Sequence, residues 1–257
     1  MRIKRFNTMT SSIYEKFMQG KVEVFDLTAP LSTNTPVIRL PPDRGQPWPF
    51  KLEKISRYDE KGNEVYWNNI QMSEHTGTHF DAPVHWFSGK DSIDVSSVPC
   101  KHLIAPAVVV DMSEQVTDPN FLLERKHVEQ WCEIHGTLPE GAWLLFRSGW
   151  DSHDLDADSF LNHGYTPGVS ESCAKWLAEQ TPIIGIGVET VGTDAGQAGK
   201  FEQPYPVHWY FHKAAKYGLT QLKNLAKLPA TGVVIIVAPL PIVGGSGSPC
   251  RVLALIE

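Results

Sequence analysis

Within one short segment this chain concentrates groups that bind metal ions and move protons. It runs Ser73-Glu74-His75-Thr76-Gly77-Thr78-His79-Phe80-Asp81-Ala82-Pro83-Val84-His85-Trp86, so His75, His79, Asp81 and His85 follow i, i+4, i+6 and i+10. A helix does not gather them: at 3.6 residues per turn Asp81 stands about 200° round from His79, and Gly77 and Pro83 both oppose helix. A straight strand puts all four on one face by parity. It also holds His75 and His79 about 13 Å apart at ~3.3 Å per residue, whereas ligands of one ion converge to about 2 Å from it. The chain must therefore curl at Gly77, whose backbone reaches conformations closed to other residues. His79-x-Asp81 then sits on a short extended piece, and Pro83 fixes the exit towards His85. Two imidazoles and a carboxylate make an N/O set that suits Mn, Fe(II) or Zn and leaves positions open for water and substrate. A lone histidine is ordinarily a hydrogen-bonded core residue; four donors at this spacing point instead to a metal site with an acid/base beside it.

Two other readings use some of the same residues. His79 and Asp81 joined by His208 or His212 would form the facial triad of a non-haem iron oxygenase, which leaves His75, Gly77, Pro83 and His85 without a purpose. A metal-sequestering module is the second, although open positions beside a spare histidine suit using an ion better than storing one.

The elements that must position these groups are mostly strands. Val22–Leu27, Glu64–Gln71, Ala105–Asp111, Ala142–Phe146, Ile183–Val188, Val233–Val237 and Arg251–Ile256 are rich in Val, Ile and aromatics and bounded by Gly, Pro or Asp. Helical spacing marks Val128, Trp131, Cys132 and His135 with Gly136 as the stop, and Val169, Cys173, Trp176 and Leu177 with Ser170 as N-cap. The same spacing recurs through Val207, Phe211, Ala214, Ala215 and Gly218. Strands outnumber helices, and helices cluster in the second half, which predicts an α+β (mixed α/β) fold around a large, barrel-like sheet. Residues 1–20 are expected to form an N-terminal helical arm and 21–257 a single domain.

Composition narrows the function. The 257 residues carry 23 Lys+Arg against 29 Asp+Glu, a formal charge of −6, which argues against nucleic acid and against an anionic membrane surface. No apolar run follows the basic start at Arg2, Lys4 and Arg5, so a secretory signal is not expected. Val233–Val243 is too short to span a bilayer. Cys100, Cys132, Cys173 and Cys250 are scattered, against a disulfide framework or a cysteine zinc site, and a cytoplasmic globular protein is the expectation. From Gln203 onward the one acid is Glu257, so that segment offers almost no carboxylate ligands. Trp86 beside His85, with Phe80, Phe87, Trp67, Trp209, Tyr210 and Phe211, could wall a flat aromatic substrate. Glu189 ends a strand and reads first as a surface acid and second as a group supporting the site from behind its ligands, Arg147 as the partner of a carboxylate, and Gly244–Ser248 as a tight loop near the site.

The segment His75-x-Gly77-Thr78-His79-x-Asp81-x-Pro83-x-His85 resembles the signature of the metal-dependent cyclase-like hydrolases, the family of bacterial kynurenine formamidases and isatin hydrolases. The likeness continues through Gly185–Asp194 and Leu225–Leu255. There Pro229, Gly232, Pro239, Gly244-Gly245-Ser246-Gly247-Ser248-Pro249 and Arg251 are similar to the isatin-hydrolase-like branch. This resemblance implies a cyclase-like barrel fold and a homodimer or higher homo-oligomer. It also implies His75, His79 and Asp81 as metal ligands and His85 as catalytic acid/base. Family members with two metals take a further His and a Glu from a later helix, which here matches Val207–Leu225. That helix offers His208 and His212, with Lys223 where the Glu would stand, so the resemblance implies one divalent ion, manganese first and zinc second. His212, Trp86, His208 and Trp209 are left to contact substrate. The implied reaction is hydrolysis of a C–N amide or lactam bond of a small aromatic substrate, isatin to isatinate first, N-formylkynurenine second, with a lactone as a further option.

Overall fold

The computed structural model describes residues 15–153 and 156–257. The expected helical arm therefore falls mostly outside the described residues, of which 15–18 form one helical turn. Twelve strands follow in order: β1 (Glu23–Asp26), β2 (Lys51–Asp59), β3 (Gly62–Gln71), β4 (His79–Asp81), β5 (Ile104–Asp111), β6 (Leu122–Leu123), β7 (Trp143–Arg147), β8 (Gly168–Val169), β9 (Gly185–Val188), β10 (Tyr217–Thr220), β11 (Val233–Pro239) and β12 (Gly247–Ile256). Seven of them close a mixed barrel in the order β12-β11-β5-β7-β9-β10-β4, with β4 pairing back to β12 and β1 lying along β12 outside the ring. The β5–β7, β7–β9 and β9–β10 pairs are parallel and the others antiparallel. The closed ring removes the exposed edges of an open sheet.

Side-chain alternation divides the barrel into two cores. Ala105, Ala107 and Val109 of β5, Trp143 and Leu145 of β7, Tyr217 and Leu219 of β10 and Phe80 of β4 fill the interior. Their neighbours Val108, Val110, Leu144, Phe146, Ile186 and Val188 face outward against the helices. These are α1 (Arg125–His135), α2 (Glu171–Gln180) and α3 (Pro206–Lys213). Phe80 is wholly buried. Burial of such a side chain is worth ~1.5–3 kcal/mol, and with a period of two it commits His79 and Asp81 to the outer, α3-bearing face.

The first two helices follow their sequence signals. Gly136 ends α1 at φ 92°, and the Ser170 hydroxyl caps α2 by accepting from the Cys173 amide. The third departs from expectation, for Val207–Leu225 is not one helix. It stops at Lys213, Ala215 turns to φ 55°, and Tyr217–Thr220 enters the barrel as β10 between β9 and β4, buried along its length. Barrel closure outweighs the helical spacing of Ala214, Ala215 and Gly218.

The β2–β3 hairpin forms a separate two-stranded sheet and leaves Leu52, Tyr66, Trp67 and Ile70 exposed. Its first strand is mostly polar on both faces, so it carries no hydrophobic period to find.

Candidate active site

The local backbone explains how residues that neither helix nor strand could gather come together. Gly77 takes φ +65°, and a Cβ there would stand 2.6 Å from the Leu31 side chain. The chain curls at this point, so His75 lies in the turn before β4 while His79 and Asp81 occupy its ends. A 3-10 turn, Pro83–His85, begins at Pro83 and carries His85 back over them. The His75 ring lies 5.2 Å from that of His79 and 3.9 Å from that of His85.

The hydrogen bonds around the trio leave a place for a cation. His79 Nδ1 is 2.7 Å from the Gly77 carbonyl, which can only accept, so Nδ1 carries the proton. Its Nε2 then presents a lone pair to Asp81 Oδ1 at 3.4 Å. The Ser246 hydroxyl donates to Glu74 Oε2 at 2.7 Å and so receives the Nε2 proton of His75 at 2.9 Å. That leaves the Nδ1 lone pair of His75 2.8 Å from Asp81 Oδ1. Two lone pairs thus converge on one carboxylate. Separations of this size match neighbouring ligands of a single ion with ~2.1 Å bonds, about 3.0 Å for octahedral and about 3.4 Å for tetrahedral geometry. One donor atom from each of the three lies within 4.8 Å of the other two. The residues fit a divalent ion.

Electrostatics favour the same occupant. Burial pushes His79 down to about 4, so it is neutral at pH 7. Burial alone would raise Asp81; the positive charge that His79 and His75 carry when protonated outweighs it and sets the carboxyl well below the usual carboxylate range. Burial also depresses His85, to about 2. The site sets an anionic carboxylate beside the neutral imidazole of His79, as a metal needs.

Of the proposed substrate contacts, Trp86, His208 and His212 gather around His85. Ring centroids are 6.2 Å for Trp86, 5.4 Å for His208 and 5.8 Å for His212, and Trp86 packs 4.8 Å from His208. His212 is buried with its Nδ1 unpaired and pushed down to about 3 by burial and by His208. Trp209 stands about 100° round the helix from His208, its carbonyl accepting from Ser88. Several expected wall residues belong elsewhere: Phe80 faces the barrel interior, Phe211 and Tyr210 the outer core, and Phe87 and Trp67 are exposed. Among the described residues the metal-competent group is His75, His79 and Asp81, so neither helix histidine completes the oxygenase triad.

Three supporting residues had weak sequence signals or none. Ser246 lies in the glycine-rich loop, where a Cβ on Gly247 would come within 2.5 Å of His75. Thr220 faces His79 through the β10–β4 register. Asp194 accepts from His208 Nδ1 at 2.5 Å. Arg147 pairs with Asp111 as expected.

Lys223 follows β10 instead of lying on a helix with His208 and His212, and lines a cavity of about 620 Å³ with Arg39, Asp151, Glu189 and Gln221. Glu189 is buried, not a surface acid. Its Oε2 accepts from the Ser148 amide and hydroxyl and from the Trp150 amide, while Oε1 has no partner. Burial, reinforced by Asp151, pushes it up to about 7. The unfolded chain ionises this group near 4.5 while the native chain keeps the proton, so native stability is lost as pH rises from about 4.5 to 7. At ~1.4 kcal/mol per pK unit the loss is about 3 kcal/mol. Glu189→Gln should therefore melt above wild type at pH 8 and level with it at pH 4.5. Equal offsets at both values would refute a buried, protonated Glu189.

Residues 25–195 match the family model described as "Putative cyclase". An isatin hydrolase of Roseibium aggregatum is 42% identical over 96% of both chains. A kynurenine formamidase of Erythrobacter litoralis is 30% identical over 80% of this chain and 86% of its own. A crystal structure of an isatin hydrolase bound to the product analogue thioisatinate superposes with a TM-score of 0.94, at 40% identity, over 98% of both chains. The chain belongs to the cyclase family.

Proposed function

We propose that this protein is a metal-dependent hydrolase that opens the lactam of isatin to isatinate. The observation that carries the reading is the pair of lone-pair contacts, 2.8 and 3.4 Å, converging on Asp81 Oδ1 beside the His85 ring. His75, His79 and Asp81 hold one divalent ion, manganese first and zinc second, since both accept this donor set. When bound, the ion lowers the pKa of water and polarises a carbonyl. His85, held neutral by burial, takes the proton from the attacking water. Trp86 offers an aromatic face to a flat substrate, and His208, His212 and Trp209 complete the contacts. Similarity to a hydrolase of isatin and to one bound to a product analogue of that reaction supports the substrate.

The enzyme is a cytoplasmic homodimer or higher oligomer whose single domain spans 21–257. No helix among the described residues is long and apolar enough to cross a membrane, and the exposed hairpin residues suit burial against a second copy.

The deciding measurement is turnover of isatin and N-formylkynurenine by purified, metal-loaded protein. Isatin consumption with release of isatinate is expected. Activity on N-formylkynurenine alone would move the assignment to an arylformamidase, in line with the formamidase relative. Inertness towards both would end it.

A further inference from the structure

Asp194 lies outside the sequence motif, 14 residues before His208, yet its carboxylate is committed wholly to the start of α3. Oδ1 accepts from the Val207 amide at 2.7 Å. Oδ2 accepts from the His208 amide at 3.3 Å and from His208 Nδ1 at 2.5 Å. Tyr205 enters the helix at φ 54°, Pro206 opens it, and the cap residue has no side-chain bond of its own. Asp194 thus replaces a local N-cap and in the same gesture grips an imidazole. Its side chain is 5% exposed and that of His208 14%.

The grip fixes a tautomer. A carboxylate can only accept, so His208 Nδ1 carries a proton and Nε2 is turned away from Asp194, into the space bounded by the rings of His85, Trp86 and His212. The carboxylate also favours the imidazolium: burial would lower His208, and the hydrogen bond and charge of Asp194 more than reverse it.

We propose that Asp194 is a positioning residue that aims His208 and fixes the proton on its Nδ1, making His208 Nε2 the proton donor to the nitrogen that leaves the opened amide. The inference rests on the amide-hydrolysing reading above. The atoms balance without a further reactant. Water loses a proton to His85, and its oxygen bonds to the carbonyl carbon. The C–N bond breaks with its electron pair going to nitrogen, which takes the proton from His208 Nε2. The new carboxylic acid ionises to solvent, and His85 returns its proton to His208. Two histidines in contrasting environments thereby divide base and acid between them.

Asp194→Asn tests this on the full, zinc-loaded chain. The Asn carbonyl can still accept from Val207, while its amide group faces His208 and forces the proton from Nδ1 to Nε2, removing the charge. Proton NMR should show a low-field Nδ1 resonance in wild type that disappears in both Asp194→Asn and His208→Gln. With metal content unchanged, kcat on isatin should fall about 10²-fold or more, with KM changed little. On 5-nitroisatin, whose nitrogen leaves readily without a proton, the fall should be less than about tenfold. The alkaline limb of the kcat profile should also move to lower pH. Absence of the resonance from wild type, unchanged turnover, an equal loss on both substrates, or loss of bound metal in Asp194→Asn would each overturn the proposal. A wild-type chain inert towards isatin that still shows the resonance would sink the substrate assignment and leave the Asp194–His208 couple standing.

Discussion

His85→Ala should bind its divalent ion at wild-type stoichiometry and lose turnover by about 10²–10⁴-fold, the usual weight of a positioned acid/base. The separation of binding from turnover follows from where His85 sits. It comes from the 3-10 turn after β4, and its ring packs on His75, but the metal-competent group consists of the other three residues. Removing the imidazole leaves the hydrogen bonds that orient those three intact. Metal analysis of the purified variant beside isatin kinetics checks both halves. Undiminished turnover would take the acid/base role away from His85, and metal loss would place it among the ligands.

The second large effect concerns Asp81. In metal-free protein its carboxylate faces two imidazole lone pairs, an arrangement that an ion relieves. Ion at 100 times its Kd should stabilise wild type by about 2.7 kcal/mol. That corresponds to a rise in melting temperature of about 5–10 °C for a chain of this size. Asp81→Asn should lose this rise and all activity. Its metal-free form should melt no lower than metal-free wild type, because the Asn amide can donate to His75 Nδ1 where the carboxylate could not. Thermal melts with and without Mn²⁺ or Zn²⁺ make the comparison. An equal metal-dependent rise in both proteins would exclude Asp81 as a ligand.

Much of this site is legible in the sequence. The curl at Gly77 followed from the failure of both regular structures to gather His75 and His79, and the backbone has it at φ +65°. Strands with a clear apolar period, such as Val233–Pro239 and Ile104–Asp111, emerged close to their expected bounds. What was not legible depends on partners distant in sequence. Tyr217–Thr220 continues a helical spacing and becomes a strand because closure of the barrel needs it between β9 and β4. Thr220 reaches His79 through that pairing, and Asp194 reaches His208 through the packing of α3; neither has a local signal. The aromatic wall was over-read, since side-chain type cannot tell Phe80 inside the barrel from Trp86 beside the site. Lys223 likewise follows a strand instead of lying on the helix expected to carry it.

The three-residue strand β4 has a consequence for how the enzyme holds together. It is the shortest stave of the barrel, and through it the ring is joined, paired with β10 on one side and β12 on the other. Two of the three proposed metal donors sit on its outer face and Phe80 plugs its inner one. An ion held by His75, His79 and Asp81 would fasten this stave to the turn bearing His75, which Ser246 ties in turn to the loop leading into β12. Opening the seam would then be linked to releasing the ion, and occupancy of the site would report whether the barrel is shut.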